Sequence, residues 1–241
     1  DYRIGAAWSP IDGHWMRAYY RQDTQFTSIY TLSPISTVGL APLELPLAWS
    51  GQTRTSAVRW DAEWSERFFT AVEYQHQEFT GLALSYEDLL VTPWTSAGVI
   101  DRLYVAGNWW IGGGLGAFAS LTLNDSRDLD PPFAGHAVPL VPDYVAQVGL
   151  KYVHPSRFTF GIAQNFIGKR VGAQFIDSSG GTIVPQLDRF TTTDAAITWT
   201  SENRKLDFNF AITNIFDTPV YSAYAVPAPG RTIKASLTTR F

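Results

Sequence analysis

The sequence predicts an all-β fold: an antiparallel β-barrel of the kind that spans a membrane, or a part of one. Three observations predict it. Apolar residues recur at every second position through segments of about ten residues, the length a tilted strand needs to cross a bilayer. The connections between those segments alternate between very short and long. Aromatic rings gather at segment ends beside the short connections.

The two-residue period is clearest near the C-terminus. Ile233, Ala235, Leu237 and Phe241 share one face, and Thr232, Lys234, Ser236, Thr238 and Arg240 share the other. Leu206, Phe208, Phe210 and Ile212 alternate with Asp207, Asn209, Ala211 and Thr213, and Val58, Trp60, Ala62 and Trp64 with Arg59, Asp61 and Glu63. Because successive strand side chains point to opposite faces, each segment has one apolar and one polar side. Eleven such segments are legible, over about 2–9, 14–22, 53–65, 67–79, 98–111, 114–124, 143–153, 157–167, 190–200, 205–214 and 231–241. The short connections are 10–13, 65–67, 112–113, 154–156 and 201–204. The long ones run over about 23–52, 80–97, 125–142, 168–189 and 215–230. Outer-membrane barrels have short periplasmic turns and long extracellular loops, so the alternation follows from that architecture. The apolar face then meets lipid and the polar face the lumen. Trp8, Trp15, Trp64, Phe68, Trp109, Trp110, Tyr152, Phe158 and Trp199 sit where an interfacial girdle belongs.

Composition agrees and narrows the function. The 241 residues are 45% apolar, 15% aromatic and only 17% charged, which suits a folded chain rather than a disordered one. Mean hydropathy is only −0.07, as two unlike faces require. No run of about 18 apolar residues is present, so no transmembrane helix is expected. No signal peptide is recognisable, and a start at Asp1 suggests a mature, trimmed or partial chain. Net charge is −4, whereas a nucleic-acid partner would want a basic face. Zero Cys removes thiolate metal sites and disulfides, and suits an oxidising compartment.

No catalytic centre is expected. His14, His76, His136 and His154 have no metal-ligand spacing, and no metal or cofactor is called for. An outer-membrane hydrolase would need a nucleophile beside a base. Ser120 and His76 come nearest, but His76 falls on the lipid-facing parity of its segment. Gly112–Gly114 is a hairpin and not a phosphate loop, since no helix follows it. Lumen-facing charges of both signs (Arg59, Asp61, Glu63, Glu73, Lys151, Asp194, Asp207, Lys234, Arg240) suit a water-filled or plug-contacting interior, or simply a solvated face. Trp49, Tyr86, Trp94, Phe133, Tyr221 and Tyr224 in the long connections are the candidates for first contact with a ligand. Loop self-packing is the plainer use of such rings.

The stretch Phe210-Ala211-Ile212-Thr213-Asn214-Ile215-Phe216-Asp217, then Pro219-Val220-Tyr221, Pro229-Gly230-Arg231 and a last strand ending in Phe241, resembles the C-terminus of TonB-dependent outer-membrane receptors. Ile215 stands where that family usually has Leu. Read physically, Asn214 and Asp217 form side-chain turns and Gly230 permits a tight re-entry into the next strand. The resemblance implies a Gram-negative outer-membrane receptor that takes up a scarce ligand such as a siderophore or vitamin. It further implies that Phe241 is the signal read by the barrel-assembly machinery. In that family a plug domain and a TonB-binding segment precede a 22-stranded barrel. No plug is recognisable here, so 1–241 reads as one barrel segment, the C-terminal half of a larger barrel. Its partners would be outer-membrane lipid, the remaining barrel and plug polypeptide or a partner chain, and TonB through that plug. An odd strand count also argues for a part, because bacterial single-chain barrels have even numbers. An unrecognised twelfth strand is the competing account. The other functional reading is a structural anchor or passive pore attached to periplasmic domains.

Overall fold

The computed structural model describes residues 1–30, 47–81, 97–172, 174–223 and 226–240. Every regular element among them is a strand. In chain order these are β1 (Tyr2–Ile11), β2 (His14–Tyr30), β3 (Leu47–Ser65), β4 (Phe68–Thr80), β5 (Ala97–Gly112), β6 (Leu115–Asp128), β7 (Tyr144–Val153) and β8 (Phe158–Ile167). Four two-residue strands follow: β9 (Arg170–Val171), β10 (Phe175–Ile176), β11 (Thr182–Ile183) and β12 (Gln186–Leu187). The chain continues with β13 (Phe190–Thr200), β14 (Leu206–Thr213), β15 (Tyr221–Ala223), β16 (Val226–Pro227) and β17 (Thr232–Thr239).

Eleven of them form one sheet in the order β1-β2-β3-β4-β5-β6-β7-β8-β13-β14-β17. Every neighbouring pair is antiparallel. The remaining short strands pair among themselves inside the long connections, β9 with β12, β10 with β11 and β15 with β16. Among the described residues β1 pairs only with β2, and β17 only with β14, so the sheet is open. The eleven segments legible in the sequence are these eleven strands. Three run well past their expected ends: β2 continues to Tyr30, β3 begins at Leu47 and β6 continues to Asp128. All three exceed the roughly 9–11 residues that cross a membrane, so their far ends stand clear of it.

Register fixes which residues share a face, since residues directly opposite in an antiparallel pair point the same way. One row runs Met16, Trp60, Val72, Val105, Leu121, Ala146. The row beside it runs Arg17, Arg59, Glu73, Tyr104, Thr122, Val145. The first face carries Val58, Trp60, Leu206, Phe208, Ile233 and Leu237 in the open. The second buries Thr53, Thr55, Glu73, Thr122, Gln147, Thr192 and Asp194. This inversion, apolar groups exposed and polar groups covered, is what a barrel wall between lipid and lumen shows. The expected orientation therefore holds for both groups. Ala62 lies on the apolar face yet is only 3% exposed; it pairs with His14, whose ring stacks on Trp60 and meets Trp64 edge-on.

Parity corrects part of the expected girdle. Trp15 pairs with Asp61 and Trp110 with Gly116, which puts both on the polar face. Trp109 pairs with Phe68 and Trp199 with Phe208, on the apolar face. Adjacent residues of one strand cannot both meet lipid, so Trp109 and Trp110 divide between the two sides.

Candidate functional site

The polar face carries a connected network across β2–β6. Arg17 Nη1 donates to Asp61 Oδ2 at 2.6 Å. Arg59 bridges two acids, with Nη2 2.8 Å from Asp61 Oδ1 and Nη1 3.0 Å from Glu73 Oε2. Gln75 Nε2 donates to Glu73 Oε1 and, at 3.2 Å, to Tyr19 Oη. Arg102 donates through Nε to Asn124 Oδ1 at 2.9 Å, and Asn124 Nδ2 donates to the Pro142 carbonyl at 2.8 Å. Further round the sheet, Gln147 donates to Asn165 at 2.7 Å, and Asn165 donates to Asp194 at 2.8 Å. Asp194 in turn accepts the backbone N–H of Asn214 at 2.8 Å. The bonds among Arg17, Arg59, Asp61, Glu73, Gln75, Tyr19, Arg102, Asn124, Gln147, Asn165 and Asp194 join residues that register already sets on the inner face. The arrangement satisfies buried polar groups that hydrocarbon could not.

Above this network the connection after β6 folds inward. Val138, Leu140 and Val141 form a buried cluster with Phe79 of β4, Ile100 of β5 and Leu187 of β12. Phe79 lies opposite Gly98, and a Cβ on Gly98 would overlap its ring. A larger residue there would displace Phe79 and with it the seat of Leu140. The backbone of this connection is also tied down. Leu140 N–H donates to the Val171 carbonyl at 2.7 Å and Gln174 Nε2 to the Ala137 carbonyl at 2.9 Å. Two long connections, 129–143 and 168–189, are thus joined over the lumen end of β4 and β5.

Arg170, in the second of those connections, reaches the connection after β14. It is 2% exposed, donates through Nη2 to the Tyr221 carbonyl, and stacks its guanidinium 5.2 Å from the centre of the Phe190 ring. Burial pulls the guanidinium below its ordinary pKa.

Of the residues singled out in the sequence, Tyr221 has a half-exposed side chain, 51% accessible, on β15. Phe133, in the connection after β6, is only 2% exposed, so its ring is covered rather than presented at the surface. Trp49 has its backbone in β3, opposite Ser28. Tyr86, Trp94, Tyr224 and Phe241 lie outside the described residues. Ser120 pairs with Ala106 and Gln147 on the inner face, while His76 pairs with Asp101 on the outer one, so no nucleophile and base are brought together there. Residues the sequence reading passed over, Val138, Leu140, Val141 and Arg170, organise the upper lumen. The run Val138-Pro139-Leu140-Val141 was the available signal, because an apolar stretch in a long connection has to be covered.

An open antiparallel wall, apolar outside and hydrogen-bonded inside, with long connections packed over one end, defines a membrane-barrel protein. The chain belongs to the TonB dependent receptor-like β-barrel family, whose model matches residues 2–215. Solved structures agree on the fold. The FrpB iron transporter of Neisseria meningitidis (F3-3 variant) superposes with a TM-score of 0.64 at 16% identity, covering 99% of this chain and 39% of that one. The ferric yersiniabactin uptake receptor FyuA of Yersinia pestis gives 0.64 at 14% identity, covering 99% and 37%. The R480A mutant of the ferric enterobactin receptor PfeA of Pseudomonas aeruginosa gives 0.67 at 12%, covering 98% and 40%. The chain thus spans about two fifths of the length of these structures. No curated protein sequence matches it.

Proposed function

We propose that this chain forms the C-terminal half of the wall of a Gram-negative outer-membrane receptor, which takes up a scarce ligand such as a ferric siderophore or a vitamin. The observation that carries this reading is the family match across residues 2–215, on a sheet with two unpaired edge strands among its described residues. Unpaired backbone groups cost several kcal/mol each in hydrocarbon. Further strands, in the same molecule or a partner, would complete β1 and β17. The inner network of Arg17, Arg59, Asp61, Glu73 and Gln75 would then face a plug domain, and TonB would act through that plug. The similar structures named above are an iron transporter and two siderophore receptors. Uptake is favoured over a passive pore by the inward-packed cluster of Val138, Leu140 and Leu187 against Phe79, which narrows the lumen end.

Uptake of a panel of radiolabelled ferric siderophores and cobalamin by cells expressing the full-length protein tests this. Uptake that stops when the proton gradient is collapsed supports the reading. An ion-conducting channel in planar bilayers, with no energy-dependent uptake of any panel member, contradicts it and favours the pore.

A further inference from the structure

On the inner wall Arg59 is paired with two acids, Asp61 and Glu73. At the junction of the connections above it, a buried charge has no such partner. Arg170, 2% exposed, donates through Nη2 to the Tyr221 carbonyl, while its Nε and Nη1 are buried with no acceptor among the described residues. No carboxylate there forms an ion pair with it, and its guanidinium rests against the face of the Phe190 ring, 5.2 Å from the centre. Gln174, 1% exposed, repeats the pattern. Its Nε2 donates to the Ala137 carbonyl at 2.9 Å, and its Oε1 is buried with no donor among the described residues. These two side chains tie the connection after β8 to those after β6 and β14, and both bring polar atoms that water would satisfy better. Phe190 pairs with Ile167, and Ile167 with Val145, in a row of the inner face, so the Arg170 junction overlies the lumen.

We propose that Arg170 is a release element: its uncompensated buried charge keeps the connections over the upper lumen close to opening, so that they part while the wall stays folded. This rests on the proposed uptake for what passes through, and on the packing alone for the opening itself. A guanidinium buried without a carboxylate loses more hydration than one hydrogen bond and one ring face replace. Apolar burial works against it. Val138, Leu140 and Leu187 cover Phe79 and Ile100, and the Leu140 N–H donates across two connections to the Val171 carbonyl at 2.7 Å. The closing and the opening tendency therefore act on the same few residues. When the connections part, water reaches the guanidinium, while the wall keeps its strand-to-strand pairing. Segments that open without global unfolding are those whose local balance is this small.

Two variants of the full-length protein test this. Arg170→Met keeps an unbranched side chain and removes the charge, whereas Phe190→Glu keeps the guanidinium and sets a carboxylate beside it. Hydrogen–deuterium exchange in detergent reads the junction at the Leu140 amide, with the amides of β5 and β6 as the measure of the wall. Both variants are expected to slow exchange at Leu140, by about tenfold for Arg170→Met, and to leave the wall unchanged. Faster or unchanged Leu140 exchange in Arg170→Met overturns the proposal, because Arg170 would then hold the connections shut. Slowing in Arg170→Met alone also overturns it, since the charge would not be the cause. Lost protection of β5 and β6 in Arg170→Met does the same, since the residue would then support the wall. Exchange reads the junction whether or not a ligand is carried. Energy-dependent uptake with wild-type exchange in both variants therefore overturns the release alone. Slowed exchange in a protein that takes up no siderophore or cobalamin supports the release and overturns the uptake.

Discussion

Asp217 Oδ1 accepts the backbone N–H of Arg231 at 2.7 Å, so a turn that ends one strand also anchors the start of the next. Gly230 makes the approach possible, because a Cβ there would overlap the same carboxylate oxygen. Asn214 secures the other side of the turn. Its Nδ2 donates to the Thr218 carbonyl at 2.8 Å and its Oδ1 accepts the Thr218 N–H at 2.9 Å. Both Asn214 and Asp217 adopt positive φ, 51° and 54°, which these two residue types tolerate better than most. The motif that resembles the family's C-terminus is therefore a hydrogen-bonded clamp that sets β17 against β14.

Asn214→Ala is expected to destabilise the folded sheet by about 1–3 kcal/mol, since a buried side chain loses two backbone partners. Asp217→Ala, at an exposed site, should lose about 1 kcal/mol. Urea unfolding in detergent, followed by tryptophan emission, reads both, and the reverse order of severity would contradict this account of the clamp.

Gly98→Ala should destabilise by about 1–3 kcal/mol through overpacking against Phe79. Phe79→Ala in the same chain should recover part of that loss, because it removes the ring that the new methyl meets. The two changes measured singly and together in urea give the coupling. Strict additivity would show that the Phe79–Gly98 contact does not set the packing of Leu140 and its neighbours.

Arg59→Met should cost about 1–3 kcal/mol, reduced from the figure for a fully buried ion pair because the guanidinium is partly open to solvent. Glu73 loses its cation while Asp61 keeps Arg17. Adding Glu73→Gln to that chain should restore most of the loss, and a double variant no more stable than Arg59→Met alone would count against the network.

Asp177 predicts a local pH response. Its Oδ1 accepts the Ser179 N–H at 2.8 Å, the Ser179 hydroxyl at 2.6 Å and the Gly181 N–H at 2.8 Å. These bonds hold the carboxyl below the ordinary Asp value. A lowered folded-state value means that the order it confers is complete above the ordinary value and lost as pH falls through the lowered one. Exchange protection of the Ser179 and Gly181 amides, corrected for intrinsic rates, should therefore fall on acidification below the ordinary carboxylate range. In Asp177→Asn that pH dependence should vanish.

The strands were readable because each has two chemically unlike sides. Leu206, Phe208 and Phe210 against Asp207 and Asn209 leave one register open, and a one-residue slip would exchange the faces. The far end of β2 was not readable. In Asp23-Thr24-Gln25-Phe26-Thr27-Ser28 the polar–apolar alternation fades, as it does once a strand has water on both sides. The Arg170 junction of the upper lumen was equally hidden. Arg170, Tyr221 and Phe190 meet only through tertiary packing of separate connections, and no spacing in the chain announces it. Phe133 shows the limit from the other direction: a ring in a long connection suits ligand contact or self-packing in sequence, and only its 2% exposure favours packing.

The central claim is that one face of this sheet meets lipid and the other a lumen, and β17 offers the most direct test. The chain has no cysteine, so single cysteines at positions 232–239 can each carry a nitroxide label in the full-length protein in vesicles. The account predicts a two-residue alternation. Labels at Ile233, Ala235 and Leu237 should collide preferentially with oxygen, and labels at Thr232, Lys234, Ser236 and Thr238 with a water-soluble nickel complex. Loss of the alternation, or the same alternation in opposite phase, would contradict it.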